Sequence, residues 1–244
     1  KLFDGETLLE KTYHRISLLD CIPRVNGKPI SLTITNREYY FISKDELEKT
    51  NLDSILLLEP EGRNTAPAIT MAALWIKEHY GNQASMLIMP SDHIIEDQRE
   101  FELKVYDALE LTHCDSSYLV TFGIKPQSAD TGFGYIESGK AMGKGFEVVR
   151  FYEKPDLETA EKFIRSEQFF WNSGIFCFNV GQFFEELSIH APQILESTVK
   201  SWDICSKSLS KDHSKIEIPL LPFKECPSIS IDYALMEKSK KVAM

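Results

Sequence analysis

With 244 residues and 43% hydrophobic content, the chain is long enough for one large α/β domain or two small ones. Its formal net charge of −10 argues against nucleic acid or an anionic membrane surface as the main partner. No apolar run approaches the ~20 residues of a membrane span. The five cysteines lack metal-binding spacing and predict free thiols in a reducing cytoplasm. The start has no signal-peptide layout. Because it also lacks an initiator Met, we interpret Lys1 as an internal residue of a longer protein.

Helix and strand patterns alternate along the first half of the chain. Apolar residues at helical spacing predict helices, and short apolar runs closed by turn residues predict buried strands. The predicted helices cover 7–19, 38–50, a segment capped by Asn64 or Thr65 and ended by Gly81, and 96–112; the predicted strands cover 30–35, 54–58, 85–89 and 118–124. This alternation is typical of a Rossmann-like α/β fold, with a mostly parallel central sheet and helices on both faces.

The character of the sequence changes near Gln127, where glycines begin to interrupt short runs. We expect hairpins and loops there, followed by a strand over 148–152 and a helix over 157–166 that Asp156 caps. A turn and strand over 171–178, a helix over 180–189, a solvated loop over 206–214, and a β-like piece and helix within 228–241 complete the prediction. No repeat or linker composition divides the chain, so a single domain is expected.

The apolar run 85–89 is a focal point of the sequence, because an acid follows its end. A run this short, stopped by Pro90, predicts a parallel strand that is buried on both faces. Ligands of open α/β sheets lie beyond the carboxyl ends of such strands, which is where Asp92 stands. Asp92 suits a Mg²⁺ ligand, yet Asp also caps turns and helices, and the residues alone leave both interpretations open. His93 beside it is better interpreted as a hydrogen-bonded structural residue.

Three further loops are candidates for chemistry, and each also has a plain structural interpretation. The loop 62–67 precedes a helix N-terminus, so Asn64 and Thr65 either contact a nucleobase or merely cap the helix. The G-x-G of 131–136 allows close ligand approach, although hairpins use glycine for the same reason. Glu153 and Lys154 suit sugar hydroxyls and a phosphate, or form an exposed ion pair of little consequence.

Taken in order along the chain, these loops resemble a known family, although no single loop indicates it. The motifs are EGRNTAPAI at 61–69, MPSDHII at 89–95, TGFGYI at 131–136, FYEKPD at 151–156, WNSGIFCF at 171–178 and SIDYALMEK at 230–238. Together they resemble the bacterial mannose-1-phosphate guanylyltransferase family (GDP-mannose pyrophosphorylase), within the sugar-nucleotidyltransferase superfamily. RNTAP with WNSG and SIDY is specific to this family, whereas TGFGY and EKP alone indicate only the superfamily.

The resemblance implies a cytoplasmic enzyme that makes GDP-mannose and pyrophosphate from GTP and mannose 1-phosphate with Mg²⁺, and it allows a homodimer. It implies that Arg63, Asn64 and Thr65 bind the nucleotide. Gly134, Tyr135, Glu153, Lys154 and Asn172 would bind the sugar phosphate. Asp92 and Lys154 would be catalytic, with Asp92 holding the metal and Asp232 either assisting it or capping the last helix.

The resemblance also implies that the chain is incomplete at both ends. The family's G-G-x-G-x-R phosphate loop would precede Lys1, and a second metal-binding Asp would follow Met244. We expect one nucleotidyltransferase domain over 1–244, with a nucleotide-binding part near 1–125 and a sugar-phosphate-binding part near 126–244. The alternatives are a sister enzyme with another sugar or base and a non-catalytic, sugar-nucleotide-binding regulatory homologue. By itself this 244-residue chain is expected to have little activity.

Overall fold

The structure, a computed structural model, describes residues 5–50, 52–113, 118–207 and 214–244. The chain divides into two compact units, each built from separate segments. Unit 1 comprises Lys1–His79, Pro90–Glu102 and Ala191–Ile231, and unit 2 comprises Tyr80–Met89, Leu103–His190 and Asp232–Met244. Each unit has its own sheet.

The elements follow the alternation that the sequence predicts for the first half of the chain. The helices are α1 (Leu8–Ser17), α2 (Tyr40–Glu48), α3 (Thr65–Tyr80), α4 (Gln98–His113), α5 (Leu157–Ser166), α6 (Val180–His190), α7 (Pro192–Lys207) and α8 (Leu220–Phe223). The strands are β1 (Arg24–Val25), β2 (Lys28–Asn36), β3 (Asp53–Glu59), β4 (Ser85–Ile88), β5 (Leu119–Ile124), β6 (Tyr135–Met142), β7 (Gly145–Tyr152), β8 (Phe169–Asn179), β9 (Lys215–Glu217) and β10 (Val242–Ala243). A 3₁₀ turn covers Arg37–Tyr39 and a π-helical turn covers Asp232–Met236.

Unit 1 contains a mostly parallel four-stranded sheet in the order β1-β2-β3-β9, in which β1 is antiparallel to β2. Strands β2 and β3 run parallel from the pair Ile30 and Asp53 to the pair Asn36 and Glu59, and β9 is parallel to β3. Leu57 in the middle of β3 is fully buried, as expected for a strand covered on both sides. The carboxyl ends of β2 and β3 therefore lie side by side and direct the loop after Glu59 to one edge. The predicted α/β class is confirmed.

Helix α1 lies within the predicted segment 7–19 and begins at a capping box. Thr7 Oγ1 accepts a hydrogen bond from Glu10 N at 3.1 Å, and Glu10 Oε2 accepts one from Thr7 N at 2.8 Å. These bonds satisfy two of the backbone donors that every helix N-terminus leaves without intrahelical partners.

Helix α7 lies in a region where the sequence pattern predicts no helix. Its buried face includes Ser197, Thr198 and Ser201, whose hydroxyls donate to carbonyls one turn earlier in the helix. Small polar residues on a buried face weaken the apolar period on which helix prediction depends. The helix extends to Lys207, so it includes the start of the predicted loop 206–214, of which 208–213 lie outside the described residues.

Unit 2 contains a six-stranded sheet in the order β4-β8-β5-β10-β7-β6, with an additional pairing of β8 with β6. The prediction that 85–89 forms a parallel strand buried on both faces is wrong. Strand β4 runs antiparallel to β8, which is its one pairing among the described residues, and Met86 alone is buried within it. A short apolar run carries no information about strand direction, and its partner comes from about 90 residues further along the chain.

The motif around Trp171 also differs from its prediction as a turn. Trp171 and Asn172 lie within β8, where the register with β5 shifts between Thr121 and Gly123. Such an irregularity re-aims a side chain while the ladder continues. The predicted hairpin is confirmed as β6 and β7, and Asp156 caps α5 by accepting from Thr159 N at 2.8 Å. Among the described residues, no helix is long and apolar enough to cross a membrane.

Candidate functional site

In unit 1, the loop after β3 holds Arg63 in an ion pair with Glu61. The Arg63 Nε donates to Glu61 Oε1 at 2.8 Å, and the Nη2 donates to the same oxygen. This pair keeps the guanidinium within its own loop and offsets its charge. Arg63 can therefore offer a ligand only those donors that Glu61 does not occupy.

The start of α3 uses its own backbone donors. Asn64 Oδ1 accepts from Thr65 N at 2.9 Å, Ala66 N donates to Ile229 O at 3.2 Å, and Thr65 Oγ1 accepts from Ile231 N at 2.8 Å. The side chains of Asn64 and Thr65 are nevertheless exposed, and Asn64 has a left-handed φ of 65°. A non-glycine residue in this conformation is uncommon and is often found at binding sites. Base recognition here would depend on side chains, since these first-turn amides are engaged.

The same loop begins at a carboxylate that is not among the predicted site residues. Glu59 ends β3, is 8% exposed, and its Oε1 has no hydrogen-bond partner within the described part of the chain. Burial raises the pKa of Glu59 from 4.5 to about 7. In the sequence, this residue directly follows the predicted strand 54–58. Its position at the carboxyl end of a parallel strand is a signal that could have identified it from the sequence. The same kind of position is the reason for predicting Asp92.

Asp92 lies in unit 1 with its carboxylate open to solvent. Its side chain is 75% exposed, and Oδ1 lies 3.9 Å from the Nε2 of His93. No group of three or more His, Cys, Asp or Glu side chains that could hold a metal ion was found among the described residues. A single exposed carboxylate still suits Mg²⁺, which keeps several waters and takes its remaining ligands from substrate phosphates.

In unit 2, three of the predicted residues lie together. Asn172 N donates to Gly134 O at 2.8 Å, so the G-x-G loop pairs with β8. A methyl group added at Gly134 would come within 2.7 Å of Glu153 Oε2 and 3.7 Å of Asn172 Cβ. A side chain at this position would therefore displace the Glu153 carboxylate, which is the flexible end of a long side chain.

The Asn172 side chain is held by hydrogen bonds at both ends of its amide. Its Nδ2 donates to Asp232 Oδ1 at 2.7 Å, and its Oδ1 accepts from Thr121 Oγ1 at 3.0 Å and from Gly174 N at 3.3 Å. Burial raises the pKa of Asp232, and the bond from Asn172 opposes this rise. Asp232 thus begins the π-helical turn and fixes Asn172, an arrangement that the resemblance did not imply.

Lys154 presents a cation beside Glu153. Its Nζ lies 3.7 Å from Glu153 Oε1, the side chain is 64% exposed, and its backbone has a left-handed φ of 46°. This strained backbone separates Lys154 from the extended geometry of β7, which ends at Tyr152. The ammonium is therefore free to reach a ligand from the end of the strand.

Several acidic residues of unit 2 lie near Glu153, and their negative charges affect one another. Burial raises the pKa of Glu237, and the charges of Glu153 and Asp232 add to this rise. Glu237 lies in the motif SIDYALMEK but is not among the predicted site residues. A group of acceptors of this kind favours a ligand with hydroxyl donors, and a phosphate would depend on the Lys154 cation.

Tyr135 does not take the position expected for it. Its side chain has 0% exposure, its hydroxyl donates to Asp130 O at 2.8 Å, and its ring packs with Phe163 and Phe169 in a buried cluster. The expectation that Tyr135 lines a sugar pocket is therefore corrected, because β6 turns this side chain into the core. Its neighbour Gly134 remains next to the Glu153 carboxylate.

Polar loops at the ends of α/β strands define a class of proteins that bind ligands at the sheet edge. A family model described as nucleotidyl transferase matches residues 13–216 of this chain. The chain belongs to the nucleotidyl transferase family.

Relatives of known sequence and structure agree with this assignment. A mannose-1-phosphate guanylyltransferase of Escherichia coli is 36% identical over 98% of this chain and 50% of its own length. A crystal structure described as mannose-6-phosphate isomerase from Helicobacter pylori matches with a TM-score of 0.84 and 34% identity, over 100% of this chain and 89% of that one. One described as mannose-1-phosphate geranyltransferase from Thermus thermophilus matches with a TM-score of 0.79 and 27% identity, over 99% of this chain and 64% of that one. The chain spans about half the length of the curated relatives it matches.

Proposed function

We propose that this chain is the nucleotidyltransferase part of a cytoplasmic enzyme that forms GDP-mannose and pyrophosphate from GTP and mannose 1-phosphate. The observation that supports this proposal most directly is in unit 2. Gly134, Glu153 and Asn172 lie together there, and Lys154 adds an exposed cation on a backbone with left-handed φ. Acceptors for sugar hydroxyls stand there beside one cation for a phosphate. The family assignment and the name of the Escherichia coli relative support the same substrates.

The proposed reaction needs no general base. A phosphate oxygen of the sugar phosphate attacks the α-phosphorus of the nucleotide, forming one P–O bond as the bond to pyrophosphate breaks. The second pKa of a phosphate is about 6, so the nucleophile is largely ionised at neutral pH. Catalysis then depends on positioning and charge neutralisation, as in phosphoryl transfer generally.

Charge is the main obstacle to bringing two phosphate-bearing substrates together. Two like charges 4 Å apart repel by about 4 kcal/mol at an effective dielectric constant near 20. In the proposal, the Lys154 ammonium offsets part of this repulsion at the sugar phosphate. Asp92 would hold Mg²⁺, which supplies further positive charge when bound, and its exposed carboxylate fits that role.

In the proposed complex, the loop after β3 receives the base. Asn64 and Thr65 expose side chains that both donate and accept hydrogen bonds, while Arg63 stays paired with Glu61. A homodimer remains part of the proposal and is testable by sedimentation of the purified protein.

Pyrophosphate release tests the function directly. The complete gene product that carries this chain should release pyrophosphate from GTP and mannose 1-phosphate, and much less with ATP, UTP or dTTP. Preference for another nucleotide or sugar phosphate would indicate a sister enzyme, and binding without turnover would indicate a regulatory homologue. Conversion of mannose 6-phosphate to fructose 6-phosphate should be measured in parallel, because a structural relative is described as an isomerase. Isomerisation by residues 1–244 alone, without pyrophosphate release by the complete gene product, would contradict the proposal.

A further inference from the structure

The buried guanidinium of Arg15, on α1, has no ionised partner among the described residues. Arg15 is 5% exposed, and its Nη1 lacks a hydrogen-bond partner within the part of the chain that the structure describes. Burial lowers the pKa of Arg15, and no carboxylate of the described residues opposes that effect. Taking an ion out of water costs free energy unless a counter-ion offsets the lost hydration. Packing alone therefore does not explain a cation at this position.

The contacts of Arg15 lie on the segment of unit 1 that carries Asp92. Its Nη2 donates to His93 O at 3.5 Å, and its guanidinium carbon lies 6.0 Å from the centre of the Phe101 ring. The backbone carbonyl of Arg15 accepts from Gln98 Nε2 at 3.2 Å. One residue of α1 thus contacts both the residue after Asp92 and the first turn of α4.

Helix α1 is a fixed support for these contacts, whereas the 90–97 loop is irregular. The capping box fixes the start of α1 at Thr7, and the Tyr13 hydroxyl shares a hydrogen bond of 2.9 Å with Thr33 Oγ1 on β2. The 90–97 loop forms neither helix nor strand, and its Asp92 side chain is open to solvent. A loop that becomes ordered only on binding weakens that binding by the conformational entropy it loses.

We propose that Arg15 is a positioning residue, which holds the 90–97 loop so that Asp92 is placed to bind Mg²⁺. This inference rests on the proposed function, because the metal role of Asp92 belongs to it. A charged donor forms a stronger hydrogen bond to a carbonyl than a neutral donor does, which gives the buried cation a purpose at His93 O. Groups that orient a metal ligand from behind typically change the metal affinity by about 10- to 100-fold.

Arg15→Met tests this role, because it keeps a long side chain and removes the guanidinium. Binding of Mn²⁺, as the probe ion, should be measured by electron paramagnetic resonance on the complete gene product with GTP and without sugar phosphate. The Kd for Mn²⁺ should rise at least about 10-fold. The KM for mannose 1-phosphate should stay within about twofold of the wild-type value.

The stability of Arg15→Met separates positioning from a structural role. Since the variant loses an uncompensated buried charge, its urea midpoint should equal or exceed that of the wild type. An unaltered Mn²⁺ affinity, a lower urea midpoint, or a rise in the mannose 1-phosphate KM as large as that in the Mn²⁺ Kd would each overturn the proposal.

Arg24→Met is the matched control. Arg24 Nη2 also donates to a backbone carbonyl at 3.5 Å, that of Ser17, but its side chain is 39% exposed. The Mn²⁺ Kd of this variant should equal that of the wild type, and a rise as large as in Arg15→Met would overturn the proposal. If Arg15→Met does not fold, Arg15→Lys replaces it. Lysine keeps the buried charge, but its ammonium ends short of the Nη positions and of His93 O. Its Mn²⁺ Kd should also rise at least about 10-fold, and an unaltered value would overturn the proposal.

Failure of this inference and failure of the proposed function give different results. If the wild type binds Mn²⁺ and the Arg15 variants bind it more weakly, but no pyrophosphate is released, only the proposed reaction is refuted. If the wild type releases pyrophosphate and the Arg15 variants bind Mn²⁺ as tightly as it does, only the role of Arg15 is overturned.

Discussion

The buried carboxyl of Glu59 should make the protein less stable as the pH rises. Its pKa in the folded state is about 7, against 4.5 for an unperturbed glutamate. Between these values the folded state holds a proton that the unfolded state has released, so the free energy of unfolding decreases with increasing pH. The contribution of this proton is complete below pH 4.5 and is lost as the pH rises through about 7.

The magnitude follows from the two pKa values. The gap from 4.5 to about 7, at about 1.4 kcal/mol per pH unit, corresponds to about 3 kcal/mol. Glu59→Gln removes the titration and keeps the size of the side chain. The free energy of unfolding of the variant minus that of the wild type should therefore increase by about 3 kcal/mol between pH 4 and pH 8.5. The amide itself adds an offset that does not depend on pH.

Urea denaturation without nucleotide at pH 4, 5.5, 7 and 8.5 measures this difference. Glu217→Gln serves as the control, because the hydrogen bond from Lys215 lowers the pKa of Glu217. That carboxylate stabilises the folded state above its unfolded pKa, so the control should not reproduce the increase. Parallel stability curves for Glu59→Gln and the wild type across the range would refute the argument that Glu59 is buried and uncompensated.

Three further substitutions test the proposed catalytic groups by steady-state pyrophosphate release. Lys154→Ala should reduce kcat/KM at least ~100-fold, equivalent to about 2.7 kcal/mol, and near-normal turnover would contradict its charge-neutralising role. Gly134→Ala should raise the KM for the sugar phosphate, because the new methyl group would lie 2.7 Å from Glu153 Oε2, while the free energy of unfolding changes by less than about 1 kcal/mol. An unaltered KM would remove Glu153 from the sugar site. Asp92→Asn should raise the Mg²⁺ concentration needed for half-maximal activity, and an unchanged titration would exclude Asp92 as a metal ligand.

Local signals made some elements predictable from the sequence. Helix α5 begins after Asp156 as predicted, because an N-cap and an apolar period are properties of adjacent residues. The direction of β4 was not predictable in this way, since it depends on pairing with β8, far along the chain. Helix α7 was missed because Ser197 and Ser201 occupy positions on its buried face.

The residues of the candidate site were likewise predictable only in part. The motifs identified Gly134, Glu153 and Asn172, which the structure brings together in unit 2. The sequence did not indicate that Tyr135 is a core residue, because alternation along a strand does not say which face is buried. Glu59 was missed for a related reason: a charged residue at the end of an apolar run looks like a boundary until its burial is known.

The hydrogen bonds of Asn172 have a consequence for any attempt to change the proposed sugar preference by mutagenesis. One amide joins Thr121 of β5, Gly174 of β8 and Asp232 of the π-helical turn. A substitution meant to admit a different sugar would also remove these three hydrogen bonds, so it would change the stability of the surrounding structure as well as the proposed sugar site. Variation would be tolerated better at Gly134, where space, and not a shared bond, is the constraint. Laboratory evolution for new sugars should therefore retain Asn172 and accumulate changes in the loop before β6.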